Sequence, residues 1–194
     1  MPAGVKRTGD EALRVCGSGA ILPGMKRLLA IFLLVTPASA AGWQSYVSDR
    51  FGAALDIPPG FVNDAEGPEN GDGRTFHDKS EAAELMVWGR NLAGRSFKED
   101  AADRAKYERG RGFNVTYEKV HNLSLKGAAK GWYVLSGDAS GRLFYEKAVA
   151  SCKGAQAVYF RFEYPASRKV EFDPVVERLS AALHAAPARD CPAG

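Results

Sequence analysis

Histidine and cysteine are scarce in this 194-residue chain, three of each, and neither clusters. His77, His121 and His184 lie far apart, and Cys16, Cys152 and Cys191 form no C-x-x-C pair. Zinc sites need Cys and His at short fixed spacings, so that class is excluded on sequence. Four nucleophile, metal and nucleotide signatures are also missing: G-x-S-x-G, H-E-x-x-H, the P-loop and the dinucleotide fingerprint. The apolar run Leu28 to Val35 is too short to cross a bilayer as a helix. A charge excess of one sign is lacking too, once the first 40 residues are set aside. Five of the 26 Lys and Arg and two of the 23 Asp and Glu lie there, leaving 21 of each. A balanced chain gives no bulk attraction for nucleic acid.

Those first 40 residues read as a leader. Lys26-Arg27 precedes the apolar run, and Ala38-Ser39-Ala40 follows it. A basic start, an apolar middle and small residues at −3 and −1 make a secretory signal, cut between Ala40 and Ala41. The competing reading is a retained membrane anchor. Residues before Met25 read as an upstream extension, with Met25 as the start. Export places Cys152 and Cys191 in an oxidising compartment, where an even pair is expected as a disulfide, with two thiols as the alternative. The expected location is periplasmic or secreted, with one domain over residues 41–194.

The most informative stretch runs from Gly131 to Tyr164. Trp132 to Leu135, Arg142 to Ala150 and Ala155 to Tyr164 read as strands, separated by turns at Gly137 to Gly141 and Lys153-Gly154. Short turns join antiparallel neighbours, so a meander is expected. In the third strand Val158, Phe160, Phe162 and Tyr164 share one face, assigned to the core. Tyr159, Arg161 and Glu163 share the other, assigned to the wetter side. Upstream, Gln44 to Ile57 reads as a hairpin ended by Pro58-Pro59. Thr75 to Asp78, Glu84 to Gly89 and Asn114 to Val120 read as further strands, with His121 to Lys126 continuing or pairing with the last.

Two helices are expected. Ser96 and Glu99 make a capping box for a helix to Arg111, with Phe97, Ala101 and Ala105 on its apolar face. Arg104, Lys106, Arg109 and Arg111 cluster in its second half. They read either as an anion patch or as a solvated, dipole-compatible face, the second being preferred. The last helix is expected to begin at Asp173-Pro174 and to stop at Pro187. Val176, Leu179 and Leu183 form its apolar stripe. The loop Asn63 to Arg74 carries Asp64, Glu66, Glu69 and Asp72. It reads as a calcium loop or, because the spacing is not that of an EF-hand, as a solvated turn.

Several short motifs carry a resemblance. Tyr46, Phe51-Gly52, Asp56-Ile57-Pro58 and Phe61 resemble the opening of PsbP-like domains, with Phe61 where a Trp is usual. Asn70 to Phe76, Tyr164-Pro165 and Phe172 to Val176 are similar to small uncharacterised exported proteins of Gram-negative bacteria. The resemblance implies an α+β fold, a central antiparallel sheet flanked by helices with an N-terminal hairpin. It also implies a binding, assembly or accessory role, with no catalytic residues to transfer.

The expected function is therefore a non-catalytic exported envelope protein that binds an envelope protein or a small ligand. No cofactor, metal or nucleic acid is expected, and membrane contact only through the leader during export. The alternative is a small periplasmic hydrolase using Asp138, Glu146 or Glu163 in an aromatic-lined cleft. Gly137 to Gly141 looks like a serine-protease loop around Ser140. A Gly-flanked hairpin turn accounts for it better.

Overall fold

Alternation of apolar and polar residues organises the chain into strands, as the computed structural model shows. It describes residues 42–64, 70–121, 124–125, 128–129 and 131–191. In chain order, β1 (Gln44–Val47) and β2 (Ala53–Ile57) form a hairpin, followed by β3 (Val62–Asn63), β4 (Gly73–His77) and β5 (Glu84–Asn91). After α1 (Phe97–Gly110) come β6 (Asn114–His121), the small pair β7 (Ser124–Leu125) and β8 (Ala128–Ala129), and then β9 (Trp132–Ala139). The chain continues through β10 (Arg142–Ser151), β11 (Gln156–Pro165), α2 (Lys169–Ala182) and β12 (His184–Ala185).

The main sheet is antiparallel, in the order β3-β4-β5-β11-β10-β9-β6. Hairpins make most of these neighbours. The exception is β5 beside β11, far apart in sequence, because after β5 the helix α1 carries the chain to β6 at the opposite edge. The β9–β10 turn is the two residues Ser140 (φ 45°) and Gly141 (φ 80°), flanked by the pair Ala139–Arg142. Positive φ at both positions is the hairpin turn whose twist suits the strands. Among the described residues, β7 and β8 pair with each other as a separate two-stranded sheet, while 122–123 and 126–127 lie outside the described residues.

Each face of the sheet carries its own core. Phe76, Leu85, Val87, Val158, Phe160, Phe162 and Tyr164 pack with Leu55, Phe61, Phe172, Leu179 and Leu183 under α2 and β2. Tyr133, Leu135, Phe144, Ala157 and Tyr159 pack with Phe97, Ala101, Ala105 and Phe113 on the α1 side. The capping box of α1 is present: Ser96 Oγ accepts from Glu99 N, and the Glu99 carboxylate accepts from Ser96 N.

Three expectations need correction. The polar face of β11 is not wet: Tyr159, Arg161 and Glu163 are buried, Arg161 at 1 % exposure. α1 lies over them and supplies their charge partners. Second, α2 starts at Lys169, with Asp173 and Pro174 inside it. Arg168 is anchored by Asp78 and Glu171, and Phe172 is buried, so the first turn forms upstream of the proline. The N–H that Pro174 lacks would have met Val170, a residue on the solvent side. Third, α2 ends at Ala182, well before Pro187, because His184–Ala185 pairs with Ala53 and Ala54 of β2. Gly52 permits that approach, since a Cβ there would sit 2.4 Å from the Ala186 carbonyl oxygen.

Candidate functional site

Between α1 and the sheet lies an ionic network. Asp100, Arg104 and Glu108 stand at i, i+4 and i+8 and so face the sheet together. Arg161 grips Glu108 with both arms of its guanidinium, Nε to Oε1 at 3.0 Å and Nη2 to Oε2 at 2.9 Å. Its Nη1 donates to Glu163 Oε2 at 2.7 Å. Arg104 holds Glu146 through Nε and Nη2 at 2.9 and 2.5 Å. Arg142 and Arg111 complete Glu163. Arg90 pairs with Asp100, whose Oδ2 also accepts from Tyr159 Oη at 2.8 Å and Tyr133 Oη at 3.1 Å.

Five arginines thus meet four carboxylates, and the planar fork of arginine suits each pairing. Burial raises the Glu146 carboxyl against the pull of Arg104, and raises the Tyr133 hydroxyl well above its ordinary value. Burial also pushes Glu163 upward, but Arg161 and Arg142 overcome it and hold the carboxyl below the ordinary range. Every acid here is occupied by an arginine. The arrangement fixes α1 to the sheet.

The other face offers a cleft. α2 packs along β10 and β11, and the β9–β6 half of the sheet lies beyond it. Three rows cross β6, β9 and β10 there: Tyr117–Ser136–Tyr145, Lys119–Val134–Lys147 and His121–Trp132–Val149. With Ser180 of α2 at the side, they enclose about 350 Å³. An adjoining cleft of about 300 Å³ shares Tyr145 and runs past Ser136 to Asp138, Lys169 and Asp173. Lys119 Nζ lies 5.7 Å from the centre of the Trp132 ring, and His121 stacks on that ring at 5.3 Å. Tyr145 Oη and Ser180 Oγ are 3.0 Å apart, and Lys147 Nζ donates to the Ser180 carbonyl. Burial lowers the Lys147 pKa.

The candidate acids of the sequence fall on the two faces of the sheet. Glu146 and Glu163 belong to the network, while Asp138 is exposed beside the cleft on the opposite face. Ser140 stands at the β9–β10 tip, one strand length from His121, which pairs opposite Trp132 at the far end of β9. Arg104 leaves the expected solvated face and turns inward, whereas Arg109 stays at the surface near Glu118. In the acidic loop, Asp64 meets His77 at 3.1 Å and Asp72 meets Arg50 at 3.0 Å, while 65–69, with Glu66 and Glu69, lie outside the described residues. Among the described residues no group of His, Cys, Asp and Glu could hold a metal ion, and no helix is long and apolar enough to cross a membrane. Cys152 and Cys191 meet with their Cα atoms 5.5 Å apart, within disulfide range. The cleavage position, Ala40 and Ala41, lies outside the described residues.

Sequence reasoning missed the cleft residues Tyr117, Lys119, Trp132, Val134 and Lys147. Their signal was period-two spacing on three strands, Tyr117-Lys119-His121, Trp132-Val134-Ser136 and Tyr145-Lys147-Val149, readable only with the register in hand.

Comparison with known proteins gives the fold its name. No family model and no curated protein matches the chain. Among solved structures, cyanobacterial PsbP (CyanoP) from Synechocystis is similar over 78 % of this chain and 96 % of its own, at 14 % identity and TM-score 0.56. The Ran-binding protein Mog1p of Saccharomyces cerevisiae aligns over 74 % of this chain and 96 % of its own, at 10 % identity and TM-score 0.48. A point mutant of Mog1 aligns over 73 % and 95 %, at 11 % identity and TM-score 0.48. The seven-stranded antiparallel sheet, the two flanking helices and the N-terminal hairpin are those of a PsbP-like α+β fold.

Proposed function

We propose that this chain is a non-catalytic binding or accessory module of the bacterial envelope, exported by its leader, with the open half of the sheet as its binding surface. One observation carries the reading: the acids are neutralised inside the α1 network, while aromatic rings and lysines line a cleft beside α2. Export is supported by the Lys26-Arg27 start, the apolar run and Ala38-Ser39-Ala40, and by the closeness of Cys152 to Cys191. A binding role fits a PsbP-like fold without following from it.

The test is affinity capture from a periplasmic extract by tagged protein beginning at Ala41. Mass spectrometry then identifies the proteins and small molecules retained. The expected result is a retained species lost with Trp132→Ala and kept with a substitution on the exposed side of α1, such as Lys98→Ala. Retention unaffected by Trp132→Ala would move the binding surface elsewhere. Hydrolysis of a broad ester and glycoside panel by the purified protein, lost with Glu146→Gln, Glu163→Gln or Asp138→Asn in variants that still fold, would overturn the non-catalytic reading.

A further inference from the structure

The register around Val134 places two lysines symmetrically. Lys119 of β6 and Lys147 of β10 both pair with Val134 of β9, so their Cα atoms are two strand spacings apart, about 10 Å. The row before them holds Trp132 and the row after holds Tyr117 and Tyr145. Val134 is the floor. The result is a slot with aromatic walls at two ends and an ammonium at each side.

The charges of this slot are unbalanced. None of the residues lining it is acidic. On the α1 side each arginine of the network meets a carboxylate. Among the described residues neither Lys119 nor Lys147 has such a partner; Lys147 bonds a backbone carbonyl and Lys119 lies over Trp132. Two cations bordering one apolar cleft with no acid in its lining favour an anion there. Trp132 and Tyr117 supply flat surfaces for stacking. The volume, about 350 Å³, falls within the usual small-molecule range of roughly 300–1,000 Å³.

We infer that this slot binds a small organic anion with a planar apolar body, its negative group held between Lys119 and Lys147 and its body against Trp132 and Val134. The inference rests on the reading of this face as a binding surface and adds the ligand chemistry.

The test titrates the mature protein with three probes: 2-naphthoate, its neutral amide 2-naphthamide, and acetate. Backbone amide shifts locate the site and give the dissociation constants. The expected result is shifts centred on Lys119, Val134 and Lys147, with 2-naphthoate at least ten-fold tighter than 2-naphthamide and acetate much weaker than both. Lys119→Gln, at an exposed position where folding is not in question, should weaken 2-naphthoate several-fold and leave 2-naphthamide unchanged. Lys147→Met, which keeps the half-buried stem, should do the same. Trp132→Leu should weaken both aromatic probes. Equal affinity for 2-naphthoate and 2-naphthamide, or shifts lying elsewhere, would overturn the inference. If 2-naphthoate fails while Trp132→Ala still abolishes periplasmic capture, the binding face stands and the ligand chemistry falls. If both fail, the face itself is wrong.

Discussion

A guanidinium sealed between two aromatic rings dominates the residue scale. The Arg161 carbon lies 5.2 Å from the Phe113 ring centre and 5.3 Å from that of Phe144, with Glu108 and Glu163 at its edges. Removing it would leave Glu108 buried with less compensation. Arg161→Met should cost roughly 3–5 kcal/mol in urea unfolding, as breaking a buried pair does, and adding Glu108→Leu should restore much of the loss. Phe160, fully buried on the other face, should cost about 3–5 kcal/mol as Ala. The Asp78 carboxyl provides a pH signature. Burial acts to raise it, but bonds from Arg168, Ala83 and Ser80 bring it down from 3.8 to about 2. A depressed carboxyl stabilises the fold above its unfolded value, and the contribution disappears as pH falls from about 4 toward 2. Melting temperatures of the native protein and Asp78→Asn should therefore differ at pH 6 and converge near pH 2. The apolar face of β11 was legible because Val158, Phe160 and Phe162 alternate without exception. Its polar face misled, because polarity indicates water only where no charged element lies opposite. The i, i+4, i+8 run Asp100, Arg104, Glu108, on the same side as Ala101 and Ala105, was the available clue.

At the scale of elements, local chemistry was the legible part. The capping box set the start of α1, and alternation placed the strands of the meander to within a few residues. β9 ran four residues further than expected, since Gly137 and Asp138 belong to the strand and not to the turn. Gly137 is needed there, as a Cβ would sit 2.0 Å from the Asn114 carbonyl oxygen beside the β6 bulge. What was not legible depends on distant partners: the early start of α2, and β12, two residues defined only by pairing with β2. The segment after α2 has few apolar anchors. Gln156 Nε2 donates to the Asp190 carbonyl at 2.6 Å, Arg50 pairs with the Asp190 carboxylate, and Ala186 N donates to Gly52 O at 2.8 Å. A Cys152–Cys191 bond closing 39 residues would add about 4 kcal/mol in the chain-entropy model. The Cys152→Ser, Cys191→Ser double variant should melt lower and show faster amide exchange at Ala186 and Asp190. Two freely alkylatable thiols in periplasmic protein would remove the bond from the account.

For the whole molecule, the fold class came from the resemblance to PsbP-like domains, and the element order agreed with it. A hairpin, strands, a helix, a meander and a final helix admit few un-knotted arrangements, and the antiparallel sheet with helices outside it is one. The cleft was out of reach because it arises from which strands α2 fails to cover, a property of no single segment. Export belongs to this scale. N-terminal sequencing of periplasmic protein should begin at Ala41, and a cytosolic product still carrying Met25 would contradict it. The pairing of β12 with β2 has a temporal side. Residues 184–190 complete the environment of residues 50–54, so contacts 130 or more positions apart must form before β2 has both its neighbours. Such long loops close late, whereas β9, β10 and β11 zip through short turns. In a chain threaded through a pore from its N-terminus, the part that emerges first would be the last to settle. Until the tail arrives, β2 would present an unpaired edge at Ala53 and Ala54, a short stretch open to pairing with another chain.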